Sequence, residues 1–157
     1  MREIRGVADG ANVRVAIVAA RFHHDVTRAL VEGALAGLAG AGVADDDVTT
    51  TWVPGAFEIP IVAERVAADH DAVICLGAVI RGETAHFELV ANEAARGIAD
   101  VARRTGVPCI FEVLATDDVA QAEARAGGAH GNKGYEAAAA ALEMVAVLRE
   151  LAAPSPR

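Results

Sequence analysis

Residues 13–40 read VRVAIVAARFHHDVTRALVEGALAGLAG, and this stretch decides the fold class. Residues 13–20 are apolar and partly β-branched, the pattern of a strand buried on both faces. A polar interruption, Arg21-Phe22-His23-His24-Asp25, follows. From there to Gly40 the apolar side chains Val26, Leu30, Val31, Ala34, Leu35 and Leu38 recur at helical spacing. Gly40 and Gly42 stop that helix. A buried strand feeding directly into a helix is half of a βαβ unit.

The rest of the chain repeats the alternation. Asp45-Asp46-Asp47 is a solvated turn before a second strand, residues 49–53 (TTTWV), which Pro54-Gly55 breaks. Pro60 suits the first turn of a helix reaching about Asp69. Residues 72–76 (AVICL) predict a third strand, and residues 77–82 a loop. A long helix is expected from near Thr84 to Gly106, and a fourth strand over residues 107–114 (VPCIFEVL). Asp117-Asp118 predicts the cap of a short helix ending near Ala126. A glycine-rich turn over residues 127–134 (GGAHGNKG) leads into a last helix ending near Leu151. The order predicts an α/β protein: a three-layer α/β/α sandwich on a four-stranded parallel sheet, with right-handed crossovers. Residues 1–157 show no repeat and no linker, so one domain is expected, with an N-terminal segment (1–11) and a frayed tail (152–157).

Composition narrows the function classes. With 14 basic and 22 acidic residues the net charge is −8, which argues against nucleic acid or an anionic membrane surface as partner. No apolar run approaches the ~20 residues that span a bilayer, and the first residues carry no apolar leader, so a cytoplasmic protein is expected. The 37 alanines suit closely packed helices. Cys75 and Cys109 each sit in an apolar run and read as buried thiols, with no zinc spacing.

In an open α/β sheet, ligands bind beyond the carboxyl ends of the strands. Four segments qualify: residues 21–25, 54–58, 78–86 and 115–118. Phe22 reads either as an aromatic folded over the strand end or as a stacking platform for a flat ring. His23 and His24 point apart and have no partner at metal-ligand spacing. Glu58, alone among apolar neighbours in the stiff loop VPGAFEIP (residues 53–60), reads as a helix N-terminal carboxylate or as an acceptor for substrate hydroxyls and amines. In residues 79–86 (VIRGETAH), Gly82 permits close approach, Thr84 can cap the next helix, and its free N–H groups suit an anion. His86 falls in the first turn, where the positive helix end favours the uncharged imidazole that acid–base work needs. Arg125 reads as a helix-end cation or as a bidentate phosphate clamp. GGAHGNKG fails the P-loop pattern, Gly40-Ala41-Gly42 lacks the third glycine of a dinucleotide fingerprint, and no G-x-S-x-G is present.

Taken in order, Arg21-Phe22, VPGAFEIP, LGAVIRGETAHFE (residues 76–88), NEAARGI (92–98), Arg125-Ala126-Gly127 and GNKG (131–134) make the chain similar to the 6,7-dimethyl-8-ribityllumazine synthases over about residues 12–151. The resemblance implies a flavodoxin-like sheet and a transferase of riboflavin biosynthesis. That enzyme condenses 5-amino-6-(D-ribitylamino)uracil with 3,4-dihydroxy-2-butanone 4-phosphate to the lumazine, phosphate and water, without cofactor or metal. It implies that Phe22 stacks on the pyrimidine and that Ala56, Phe57 and Glu58 hold the ribityl chain and ring edge. Ala78, Val79 and Ile80 would contact the pyrimidine, with Phe111 and Lys133 completing that subsite. Glu83 and Thr84 would form the phosphate loop, Arg125 would close on the phosphate, and His86 would donate the proton. It further implies homopentamers with sites between subunits, Phe111, Arg125 and Lys133 coming from the neighbour. The N-terminal segment would pair with the neighbour's sheet. The short turn at residues 127–134 favours an icosahedral capsid, and association with riboflavin synthase is a further implied partnership. Four positions depart from the common pattern: His23 stands where asparagine is frequent, Glu83 where small residues are common, Glu112 for a frequent glycine and Ala115 for a frequent threonine. A non-catalytic flavin or lumazine carrier, or a shell protein, is the competing reading. Retention of Thr84, His86 and Arg125 argues against a carrier, which needs no phosphate site.

Overall fold

The computed structural model describes residues 1–153. Its centre is a four-stranded, all-parallel sheet of β1 (Val15–Ala20), β2 (Val48–Val53), β3 (Ala72–Ile80) and β4 (Cys109–Thr116), in the order β2-β1-β3-β4. β1 is buried along its whole length, which is why its sequence is continuously apolar rather than alternating. Val15, Ile17 and Ala19 face α1 (His24–Gly40) and α5 (Lys133–Ala152). Ala16, Val18 and Ala20 face α2 (Ile59–Ala67) and α3 (His86–Thr105). β3 divides the same way, Ile74 and Leu76 to one core and Val73 and Cys75 to the other. These two cores make the three layers. α4 (Val119–Arg125) leads into a small antiparallel hairpin, β5 (Ala126–Gly128) and β6 (Gly131–Asn132).

Small residues set the helix spacing. A Cβ on Gly134 of α5 would stand 1.8 Å from the Leu30 carbonyl oxygen of α1, and one on Gly37 would stand 2.7 Å from Ala138 Cβ. On the other side, a Cβ on Gly97 of α3 would stand 2.6 Å from Pro60 of α2. Each close approach joins two helices that are distant in the sequence.

Several boundaries differ from expectation. Residues 77–80 are not loop: β3 continues to Ile80, pairing Ala78, Val79 and Ile80 with Leu114, Ala115 and Thr116. Gly77 occupies mid-strand because it packs, a Cβ there lying 3.3 Å from Ala20 Cβ, and not because the chain turns. The stretch 127–134 is not one turn: it holds β6 and the first residues of α5, whose cap is Asn132. Asp118 caps α4 as expected, accepting from the Gln121 N–H at 2.8 Å. α5 includes Ala152, so helix overruns the start of the expected frayed tail; residues 154–157 of that tail lie outside the described residues. The N-terminal segment carries no strand and lies along its own α5, with Gly6 against the Glu143 carbonyl and Arg2 paired with Glu150. Among the described residues no helix is long and apolar enough to cross a membrane.

Candidate active site

Strand order locates the crevice. β1 connects outward to β2, and the chain then returns to the other side of β1 to build β3 and β4. The direction reverses between β1 and β3, and the gap beyond their carboxyl ends is where such sheets take ligands. A cavity of about 740 Å³ opens there, within the range of small-molecule sites.

Each edge supplies a rigid piece. After β1, the Arg21 N–H donates to the Val53 carbonyl at 2.8 Å and the Phe22 N–H to the Pro54 carbonyl at 3.1 Å, pinning Phe22, a residue 69 % exposed, to the next loop. His23, with φ of 56°, turns the chain into α1 in the left-handed region and meets the Phe22 ring edge-on at 4.9 Å. Histidine, like asparagine, adopts that conformation more readily than most residues. After β2, Ala56–Glu58 forms a 3₁₀ turn, and Glu58 Oε2 accepts the Gly55 N–H at 2.9 Å. That bond serves the helix-start role, while Glu58 also lines the cavity. After β3 comes the exposed loop 82–84. α3 starts at His86 with Ala85 at its cap, so Thr84 sits one position earlier than a cap, its Oγ1 accepting a long 3.4 Å contact from the His86 N–H.

Phe22, Ala56, Phe57, Glu58, Ala78, Val79, Ile80, Thr84 and His86 thus come together around one cavity. Glu83 is exposed beside it and does not line it. Phe111, Arg125 and Lys133 lie apart from it in this chain. Phe111 is 42 % exposed on β4, an edge strand. Arg125 ends α4, its guanidinium donating to the Gln121 carbonyl at 2.9 Å. Lys133 opens α5, paired with Glu136 and within electrostatic reach of Glu112 and Arg125. The bond to Glu136 raises the Lys133 pKa above the usual lysine value. Burial raises the Glu112 carboxyl above the usual carboxylate range.

Two contributions escaped the sequence reading. The first is the α3 wall: Leu89, Val90 and Glu93 line the cavity with His86. Their i, i+3, i+4, i+7 spacing from His86 is one helix face, a signal legible once His86 opens the helix. The second is Arg81. Its Nε donates to Asp117 Oδ1 at 2.8 Å, its Nη1 to Glu88 Oε1 at 2.7 Å, and its guanidinium lies 4.5 Å over the Phe87 ring. The bond from Arg81 holds the Glu88 carboxyl below its ordinary range. Among the described residues no cluster of three or more His, Cys, Asp or Glu is arranged to hold a metal.

The arrangement offers an aromatic face, a carboxylate, strand-end backbone, an open loop at a helix N-terminus and an imidazole in one crevice. It can seat a flat heterocycle and a second, anionic reactant side by side with a proton carrier between them. The sequence has known relatives. Residues 12–149 match the sequence profile of the family described as 6,7-dimethyl-8-ribityllumazine synthase. The protein of that name from Gemmatimonas aurantiaca (strain DSM 14586 / JCM 11422 / NBRC 100505 / T-27) is 48% identical over 147 residues, 92% of this chain and 90% of the relative. A profile match across the sheet, both helical layers and every edge of the crevice means that the chain belongs to the 6,7-dimethyl-8-ribityllumazine synthase family.

Proposed function

We infer that the chain is a transferase of riboflavin biosynthesis that condenses 5-amino-6-(D-ribitylamino)uracil with 3,4-dihydroxy-2-butanone 4-phosphate. The products are 6,7-dimethyl-8-ribityllumazine, phosphate and water. The observation that carries this reading is the crevice itself: Phe22, Glu58, Thr84 and His86 line one cavity in a chain matched to the family over residues 12–149.

The residues suit the steps. The ring of the amine substrate stacks on Phe22, its ribityl chain and edge meet Ala56, Phe57 and Glu58, and Ala78, Val79 and Ile80 present backbone to the pyrimidine. The phosphate of the ketone sits over loop 82–84 at the start of α3, held by the Glu83 and Thr84 segment. The amine attacks the ketone, water leaves as the imine forms, phosphate is eliminated, and the second amine closes the ring with loss of water. Each step moves protons, and His86, which lines the cavity, carries them in this reading. No strong nucleophile is required of the protein, because holding two reactants together supplies much of the rate.

The site is completed by a neighbour in a homopentamer, whose Phe111, Arg125 and Lys133 reach the cavity; these three are solvent-accessible and outside the cavity of their own chain. The exposed apolar side chains Phe57, Ile61 and Leu89, each more than half exposed, support burial against another copy. The compact hairpin at residues 126–132 favours an icosahedral capsid of such pentamers. The protein works as one domain in the cytoplasm, where riboflavin synthase is the enzyme that consumes its product and a candidate associate.

Mixing the purified protein with both substrates and following lumazine fluorescence tests the activity. Product from the wild type with a large loss in His86→Ala supports it. No product from a folded, assembled wild type would overturn it.

A further inference from the structure

The loop that precedes α3 is not shaped by its own packing. A Cβ on Gly82 would meet nothing within 4 Å, and Gly82, Glu83 and Thr84 are all exposed. It is held at its ends. At one end is the long Thr84 Oγ1 contact from the His86 N–H. At the other is Arg81, whose N–H donates to the Thr116 carbonyl at 2.9 Å and whose side chain bridges Asp117 and Glu88 over the Phe87 ring. That side chain joins the end of β3, the turn before α4 and the first turn of α3. Phe87 also lines the cavity.

We propose that Arg81 is the positioning residue of the anion loop: its bridge between Asp117 and Glu88 holds residues 82–84 in the shape that receives the substrate's phosphate group. The assignment rests on the reading of that loop given above. Arg81 is not itself the phosphate ligand, because one guanidinium between two carboxylates leaves the group with a net negative charge. The bridge is also a weak source of stability, since its side chains are about half exposed or more and solvent screens such pairs. Its consequence is therefore expected in substrate affinity rather than in folding.

The sign of the effect separates positioning from simple electrostatics. Removing a carboxylate near an anion site by Glu88→Gln or Asp117→Asn strengthens phosphate binding if charge alone matters. It weakens phosphate binding if the carboxylate's task is to hold Arg81. Steady-state kinetics on the assembled enzyme, with inorganic phosphate as a competitive probe, reads this directly. Arg81→Ala is expected to raise KM for the phosphate-bearing ketone and Ki for inorganic phosphate about ten-fold, from loss of loop geometry. KM for the ribitylamino substrate and Tm stay near wild type. Glu88→Gln and Asp117→Asn are expected to move the same constants in the same direction by less, and Arg81→Lys to rescue only in part, because a lysine cannot fork between two carboxylates. Tighter or unchanged phosphate binding in both carboxylate variants overturns the proposal. So does an equal rise in both KM values with a large fall in Tm. Arg125→Ala serves as the control. If it weakens phosphate use while the Arg81 set does not, the positioning role alone fails. If the wild type forms no lumazine, the reading of the loop fails and takes the proposal with it.

Discussion

The side-chain amide of Asn132 donates from Nδ2 to the Ala29 carbonyl oxygen at 2.9 Å, across 103 positions of sequence. Its Oδ1 meanwhile accepts the N–H groups of Gly134 at 2.9 Å and Tyr135 at 3.1 Å. One side chain therefore caps α5 and fastens it to α1. The glycines around it follow from that bond: a Cβ on Gly33 would stand 2.2 Å from Asn132 Oδ1. Asn132→Ala is expected to destabilise the folded chain by about 1–2 kcal/mol, a lost cap plus a lost bond between α5 and α1. Gly134→Ala should cost about 3 kcal/mol, since the backbone of Leu30 cannot yield. Gly40→Ala, where a Cβ meets nothing within 4 Å, should be neutral or stabilising. Urea unfolding of the three variants orders them, and equal midpoints would refute the clamp.

His23 turns α1 from the left-handed region at φ 56°. His23→Asn should therefore hold or raise stability by a few tenths of a kcal/mol, and His23→Ala should lower it by about 1 kcal/mol. Thermal melts separate the two; a melt in which alanine matches asparagine would remove the backbone explanation.

Glu112 gives a pH signature. Burial is the main cause of its raised pKa, Lys133 opposes the rise, and Glu136 adds to it. An acid whose folded pKa is raised favours folding while protonated. Its contribution is greatest below the unfolded carboxylate pKa and is lost as pH rises through the folded value. Glu112→Gln should therefore gain in Tm relative to wild type as pH rises through and above the ordinary carboxylate range. A constant difference across that range, or one that shrinks, contradicts the assignment.

The proposed sharing of the site between subunits predicts complementation. His86→Ala should lower kcat about 100-fold, the lower end of the acid–base range, because holding the two reactants together supplies the rest. Arg125→Ala should chiefly raise KM for the phosphate substrate. Refolded together, the two variants should form mixed rings in which some sites pair an intact His86 with an intact Arg125 from the neighbour. Activity above the sum of the separate variants is the expected reading; no gain in verified mixed rings would place both residues in one subunit's site.

The thiols should be inert. Cys75 is fully buried, and burial pushes its pKa well up; Cys109 is pushed up to about 11. Cys109, expected to be buried, is only partly so, yet its raised pKa keeps it a poor nucleophile. A disulfide reagent should label both quickly only after unfolding, and rapid labelling of Cys75 in the native protein would contradict its burial.

Sequence determined the element types and their order here, because a strand buried on both faces must be continuously apolar and a helix must repeat its apolar face every 3.6 residues. Residues 13–40 carried both signals without ambiguity. The same periods mark the ends of β1 and β2, so Phe22 and Glu58 are legible as neighbours of strand ends, while Thr84 and His86 follow a third strand that runs four residues further than its pattern shows. Residues 77–80 were misread because a glycine required for packing against Ala20 looks the same as one required for a turn. The worth of Asn132 is a bond to Ala29, which no local pattern encodes. Strand order is likewise invisible in local pattern, since it depends on which side of β1 each crossover returns to. Only the tertiary structure put β1 beside β3 and so opened the crevice between Phe22 and His86. Only it joined Arg81 to Asp117 and Glu88, bonds between elements whose separation in sequence is unrelated to their distance in space.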